Sequence, residues 1–241
     1  MWDGTTWSRV ASPNPNVIDD ELNAVSCPSP SFCAAVGFSS GRTLIATWNG
    51  NRWSHVASPR NIDFGLNGVS CTSAVFCVAV GQRSSTAAGE TLIETWNGSA
   101  WSVIPKPSSG ALVGVSCFSK MMCTAVGRST TSTGASKTLV ETWNGSSWST
   151  VVSPNPASAD QLASVACTAT NSCVAVGYRG TSPGARQTLI ETWDGSTWVV
   201  TPSPNKPQSQ GDELLGVSCF TGGCTAAGLY SRGGFDEHTL V

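Results

Sequence analysis

One eleven-residue stretch, Thr138 to Trp148 (TLVETWNGSSW), returns along the chain and limits what the chain can fold into. It recurs as Thr43–Trp53 (TLIATWNGNRW), Thr91–Trp101 (TLIETWNGSAW) and Thr188–Trp198 (TLIETWDGSTW). A fifth copy is split: the chain ends on Thr239-Leu240-Val241 and begins on Met1-Trp2-Asp3-Gly4-Thr5-Thr6-Trp7. All ten tryptophans lie in these copies, two per copy and five positions apart. Thr, Leu, Ile, Val and Trp favour a packed, pleated strand. Asn-Gly or Asp-Gly between two such runs signals a hairpin, since both residues tolerate positive φ. Each copy therefore predicts a β-hairpin whose two Trp face each other and pack between neighbouring units.

The stretches between the copies repeat as well. Each unit reads LxGVSC (strand A), CxAVG (strand B), TLIETW (strand C) and WSVV (strand D), followed by a Pro-rich segment suited to a crossover. The second Trp falls at Trp7, Trp53, Trp101, Trp148 and Trp198, every 46 to 50 residues. Four short strands at that period predict an all-β fold, a five-bladed β-propeller with four antiparallel strands per blade. The small residues of strands A and B belong near the axis and the Trp further out. The units run 7–52, 53–100, 101–147, 148–197 and 198–241, the last completed by 1–6, in a single domain over 1–241. The N-terminal strand D is expected to pair with the C-terminal strands A to C. That pairing closes the ring and removes exposed edges.

Ten cysteines form five local pairs: Cys27/Cys33, Cys71/Cys77, Cys117/Cys123, Cys167/Cys173 and Cys219/Cys224. One pair per repeat without a nearby His does not assemble a four-ligand zinc site, and no CxxC redox spacing occurs. The expectation is one disulfide across each A–B hairpin. Each would stabilise by about 2 kcal/mol in the chain-entropy model and would imply an oxidising, extracellular compartment. The last pair, one residue closer than the others, departs from the pattern.

The repeat GVSCxSxxxCxAVG…TLIETWNGSxWSVVPSPNP resembles repeats of secreted bacterial proteins of the actinobacterial type. The resemblance spans the whole chain and implies export; it implies no ligand. Five-bladed propellers include a tachylectin-type lectin and several glycoside hydrolases, but their repeat motifs do not match this one.

Charged residues are 12% of the chain and the net charge is −2, which excludes nucleic acid and anionic membrane as main partners. No apolar run reaches the ~20 residues of a membrane span. A monomer is expected, and no cofactor is implied. Met1 sits directly on a repeat, so no signal peptide is expected in this sequence.

Residues that break the repeat are the candidates for chemistry. His55 and His238 sit in no nucleophile motif. Glu94, Glu141 and Glu191 fill one strand-C position on the side of the Leu and Trp, where a structural role between blades is the expectation; the first unit has Ala46 there. Asp20, Asp160 and Asp212 each precede the first Leu of strand A by two residues, where the other units have Phe64 and Gly110. Turn residues are the plainer reading. Convergence at the channel mouth would instead suit Ca²⁺ or an acid–base pair. The B–C loops vary and carry Arg83, Arg128, Lys137, Arg179, Arg186 and Arg232, with Tyr178 and Tyr230. Loops on a rigid scaffold are where binding concentrates. Of these, Arg83, Arg128, Arg179, Arg232, Tyr178 and Tyr230 are the ligand-binding candidates. The sequons at Asn97 and Asn144 coincide with hairpin turns and read as turn chemistry.

Three functions follow in order. The first is a non-enzymatic, multivalent binding module for glycans, using up to five equivalent sites between blades. The second is a scaffold propeller for an extracellular protein partner. The third is a hydrolase using Asp20, Asp160 and Asp212.

Overall fold

The structure, a computed structural model, describes residues 1–241 apart from 16–18, 60–64, 84–88, 106–107, 181–185, 208 and 233–236. Phe64 lies outside the described residues. The described chain is all-β, with nineteen strands. The first sheet holds β1 (Asp20–Ser29), β2 (Phe32–Ser39), β3 (Arg42–Trp48) and β4 (Trp53–Val56). The second holds β5 (Leu66–Ser73), β6 (Phe76–Arg83), β7 (Glu90–Trp96) and β8 (Trp101–Val103). The third holds β9 (Ala111–Ser119), β10 (Met122–Thr130), β11 (Ser136–Trp143) and β12 (Trp148–Val151). The fourth holds β13 (Gln161–Ala169), β14 (Ser172–Gly180), β15 (Arg186–Trp193) and β16 (Trp198–Thr201). A three-stranded group, β17 (Gly211–Phe220), β18 (Gly223–Ser231) and β19 (Glu237–Leu240), follows and meets β15 by a single parallel bridge, Arg186 to Gly211. Within every group the strands are antiparallel neighbours in chain order, as the repeat predicts.

Each C–D hairpin forms on the turn the sequence marks. In the second sheet the Asn97 side chain accepts the backbone N–H of Ser99 at 3.0 Å and of Ala100 at 2.9 Å. Only the glycine takes positive φ, 98° at Gly98, so the Asn serves as an acceptor rather than a left-handed residue. Asp194 does the same in the fourth sheet, and the N–H of Thr197 heads the bonds that hold its carboxyl well below the usual range. The first Trp of each hairpin donates its indole N–H to the A–B turn of its own sheet, as in Trp143 to the Lys120 carbonyl at 3.1 Å. The second Trp is buried between sheets at Trp101, Trp148 and Trp198.

All five cysteine pairs are disulfides: Cys27–Cys33, Cys71–Cys77, Cys117–Cys123, Cys167–Cys173 and Cys219–Cys224. Each ties strand A to strand B, with Cα–Cα distances of 3.9 to 4.1 Å. The last four join directly opposed residues of the ladder. The shorter-spaced Cys219–Cys224 pair closes like the rest. The spacing reads these cysteines as pins of a local hairpin, and all five pairs are so placed; the strand-B members of the second, third and fourth sheets are packed into the core as well. Cys77 and Cys123 have no exposed surface: Cys77 lies in the core between the first and second sheets, Cys123 in the core between the second and third. Cys173 takes the same place between the third and fourth. The reason is geometric, since strand B lies under the preceding sheet while strand A faces the axis. The Cys123 sulfur is therefore a packing atom as well as half of a bridge. Five disulfides fit an oxidising environment. Among the described residues no helix is long and apolar enough to cross a membrane.

The core lies between sheets. Ala34, Val36 and Ile45 of the first sheet meet Leu66, Val69, Cys77, Ala79, Leu92 and Trp101 of the second. The same pairing joins the second to the third and the third to the fourth. The A strands are innermost, and their small residues permit a close approach: a Cβ added at Gly68 would stand 2.9 Å from the Val113 carbonyl oxygen. A Cβ on Gly177, the last residue of the strand-B motif, would stand 2.0 Å from the Gln161 carbonyl oxygen, where a bulge in β13 turns that oxygen inward.

Serine bonds fix successive sheets. The N–H of Cys71 donates to Ser26 Oγ at 2.9 Å, Cys117 to Ser70 at 2.9 Å and Cys167 to Ser116 at 3.0 Å. The fourth sheet has Ala166 at this position, and there Val217 N–H reaches Ser164 instead, at 3.3 Å. The last group is correspondingly less covered, with Cys224 exposed where Cys123 and Cys173 are buried. Ala166→Ser should restore the bond to the Cys219 N–H and raise stability by about 0.5–1 kcal/mol, read by chemical denaturation.

The expected ring closure is not formed. Trp2 bridges Trp7 within the N-terminal segment, which lies against the first sheet, and among the described residues no strand pairs with the outer edge of β19. The A strands β1, β5, β9, β13 and β17 pack in chain order, and β17 makes no comparable packing with β1. The split repeat leaves the two halves without a tight hairpin to bring them together, so the sheets form an open series.

Candidate functional site: the loop rim and the junction between the first two sheets

Antiparallel order puts the B–C loops and the D–A crossovers at one end of every sheet and the Trp hairpins at the other. Trp edges are therefore not available to the loop end. The residue after the strand-B glycine is Phe38, Gln82, Arg128, Tyr178 and Leu229 in turn, so chemistry changes from sheet to sheet while the scaffold does not. The loop end does not present five equivalent sites.

It carries a 620 Å³ cleft between the first and second sheets, lined by Asp19, Asn23, Phe38, Ser40, Gly41, Gly65 and Asn67. Several local causes open it. The first B–C loop is the two-residue turn Ser40-Gly41, whose residues take φ of 48° and 78°. Asp19 also has positive φ, 56°, and its carbonyl accepts the Ser40 N–H at 3.1 Å. Asp19 and Ser40 are the non-glycine residues with positive φ among those described. Gly65 lies against Phe38, where a Cβ would meet the Phe38 Cβ at 3.0 Å. Asn23 and Asn67 donate their amide N–H groups across the junctions to the carbonyls of Leu66 (2.9 Å) and Leu112 (2.8 Å), which holds both side chains in place. The cleft thus combines an aromatic ring, a carboxylate, a hydroxyl and two positioned amides within the size range of small-ligand sites.

The residues singled out from the loops are spread around the rim. Arg83 pairs with Glu90 at 2.6 Å on the second sheet. Arg128 is exposed on β10 of the third. Tyr178 lies under the Arg186 guanidinium, 4.1 Å from the ring centre, and Arg186 reaches Glu213 of the next group at 2.7 Å. Arg179 is half-buried and its charge acts on Asp160. Tyr230 stacks on His238 at 5.0 Å, with Lys206 at 5.6 Å and Arg232 at 5.9 Å from its ring. Two aromatic–cation groups are thus assembled on the fourth and fifth groups, while Arg83 and Arg128 stand apart. The disulfide cysteines take no part in the rim, since they sit at the A–B turns at the other end, with Cys77 and Cys123 wholly enclosed.

Asp20, Asp160 and Asp212 are not brought together. Asp160 accepts the Ala157 N–H at 2.9 Å and Asp212 the Lys206 N–H at 2.6 Å, each capping its own crossover. Both are buried, and burial pushes the Asp160 carboxyl up. Among the described residues no group of three or more His, Cys, Asp and Glu could hold a metal ion. The carboxylates of Asp160 and Asp212 are each engaged by a backbone N–H of their own crossover.

Glu94, Glu141 and Glu191 are buried between sheets as expected. Ser58, which follows β4, donates to Glu94 of the second sheet at 2.9 Å; Ser153, which follows β12, donates to Glu191 of the fourth at 2.6 Å. Glu141 is held by Ser108 and Thr91. Burial pushes Glu94 and Glu191 up to about 7 against those bonds, and raises Glu141 as well. For Glu191 the charge of Asp160 adds to the rise.

The cleft residues were missed from sequence, although two signals were present. Asn follows the strand-A Leu in the first two units alone, and the first B–C loop is the shortest.

No family model matches the chain, and no curated protein matches it. Solved structures do. The SapL1 lectin in complex with alpha methyl fucoside superposes with a TM-score of 0.54 at 11% identity, over 88% of this chain and 72% of that one. YCF48 bound to D1 peptide gives 0.51 at 15% identity, over 81% of this chain and 56% of that one, so this chain spans little more than half of that protein. A fungal lectin from Aleuria aurantia, described as a six-bladed β-propeller with a novel fucose recognition mode, gives 0.51 at 14% identity, over 81% and 66%. At these identities the likeness is one of architecture: the repeated, disulfide-pinned sheets of this chain have a β-propeller-like arrangement.

Proposed function

We propose that this protein is a non-enzymatic binding propeller of five blades that recognises glycans at its loop rim, with the cleft of the first junction as its principal site. The whole of 1–241 acts as one domain in this reading, exported by a bacterium. The observation that carries it is the 620 Å³ cleft itself. A sugar offers C–H faces to an aromatic ring and hydroxyls to carboxylate and amide groups, and the cleft supplies Phe38, Asp19, Ser40, Asn23 and Asn67. Among the described lining residues Asp19 is the single carboxylate, so an acid–base pair has no second member there. The SapL1 structure, which holds alpha methyl fucoside, supports the class of ligand by architecture. The aromatic–cation groups at Tyr178 with Arg186, and at Tyr230 with Arg232, would act as secondary contacts, with Arg179 next to Tyr178 on the same strand; Arg83 and Arg128 would contribute separately, from the second and third sheets. The reading as a scaffold for an extracellular protein is favoured by the exposed apolar turns at Phe118, Met121 and Phe220, at the opposite end.

Phe38→Ala and Asp19→Asn should each weaken binding to an immobilised glycan at least tenfold, with Tyr178→Ala weakening it less. Unchanged affinity in both cleft variants would remove the cleft as the site.

A further inference from the structure

The first sheet presents to solvent a face that later sheets bury. Leu22 and Val25 of β1 are 41% and 60% exposed, whereas the matching Leu66 and Val69 of β5 are 0% and 8%. Beside that face lies the N-terminal segment, where Trp2 and Trp7 pack with ring centres 5.7 Å apart, as the other Trp pairs do. Between them runs a 980 Å³ groove whose apolar lining includes Trp7, Val10, Leu22, Val25, Ala35 and Trp53.

The groove is half of a junction between sheets. Trp7-Ser8-Arg9-Val10 matches Trp53-Ser54-His55-Val56 and Trp148-Ser149-Thr150-Val151, which form strand D as β4 and β12. At the intact junctions Val56 and Val151 pack at the margin of the core, and Val10 holds their position. The N-terminal segment therefore has the sequence of a strand D and lies beside a receptive face, and among the described residues no strand A, B or C pairs with it. The complementary half is at the other end of the series. β17, β18 and β19 are strands A to C, and among the described residues no fourth strand pairs with them. Thr225 and Ala227 of β18 are exposed, where Thr124 and Val126 of β10 are buried.

We propose that the groove receives the β17–β19 sheet of a second copy of this chain, with Trp7–Val10 as its fourth strand. The contact repeats the junction already made three times within one chain, so its shape and chemistry are those of an established interface. The chain's own last sheet does not take this place. The serine bonds at 2.9–3.0 Å fix the angle at three successive junctions, and the resulting series leaves β17 away from β1. The contact is head-to-tail, so copies either exchange ends in a closed dimer or add on in series. It replaces the expectation of a monomer.

Sedimentation velocity and light scattering on the oxidised protein over rising concentration test this. The expected mass is at least twice the 24.9 kDa of one chain. Val25→Lys and Trp7→Ser alter exposed side chains and should return the protein to single-chain mass, with the five disulfides intact by mass spectrometry. A wild type at single-chain mass at every concentration overturns the proposal, whether the groove is then empty or holds the chain's own last sheet. So does an assembly that Val25→Lys and Trp7→Ser leave unchanged. Glycan binding is read separately and does not depend on the outcome.

Discussion

Replacing Glu94 or Glu191 with glutamine is expected to stabilise the protein above pH 7 and to leave it nearly unchanged at pH 4. In the folded chain both carboxyls titrate near 7, because burial between sheets penalises the charge more than the hydroxyls of Ser58 and Ser153 relieve it. In the unfolded chain they titrate near the ordinary value of 4.5. The folded state thus holds the proton more tightly. The stability these groups contribute is fully present below the unfolded value and is lost as pH rises through the folded one. The shift corresponds to about 3 kcal/mol per carboxyl once both states are ionised. Glutamine keeps an acceptor for the serine hydroxyl and cannot ionise, so each variant should recover about 2–3 kcal/mol at pH 8. Denaturation in urea from pH 4 to 9 would read this as a loss of the downward slope. An unchanged slope in the Glu94→Gln, Glu191→Gln double variant would mean that these carboxyls ionise without strain.

The second large effect concerns the tryptophans, which are not interchangeable within a hairpin. Trp148 is buried in the junction between the second and third sheets, in one cluster with Val78, Val80, Leu112, Cys123 and Leu139. Trp148→Ala should cost about 3–5 kcal/mol, the transfer of a large side chain plus the cavity it leaves. Trp143 stands at the junction's edge and makes its indole bond to the exposed Lys120 turn. Trp143→Ala should cost about 1–2 kcal/mol, the bond and part of the burial. Equal losses for the two variants would show that the paired rings act as a unit within the hairpin, and not as separate ties to the turn and to the next sheet.

What could be read from the chain was what repeats. Strand order, hairpin turns, disulfide pairing and the burial of Glu94, Glu141 and Glu191 follow from local rules, which the four uninterrupted sheets obey wherever the residues are present. The full enclosure of Cys77 and Cys123 was not legible from their spacing, because it comes from the neighbouring sheet and not from the hairpin they pin. Ring closure was not legible either, because it depends on the angle between sheets. That angle is set by bonds such as Ser26 to Cys71 and by the substitution Ala166, which a motif treats as noise. The cleft was partly legible. A short Ser40-Gly41 loop and the two Asn residues mark the first junction, but their meaning rests on Phe38 meeting a glycine twenty-seven residues later. The acidic residues show the same limit from another side. Asp160 and Asp212 occur at matching positions because each caps its own crossover, and equal positions in neighbouring sheets do not converge.

The most direct measurement is a glycan array on the oxidised wild-type protein, followed by calorimetric titration of any ligand found. The account predicts binding of a glycan with a principal stoichiometry of one per chain, abolished by Phe38→Ala together with Asp19→Asn. A blank array, or binding at five equal sites that the double variant leaves intact, would contradict it.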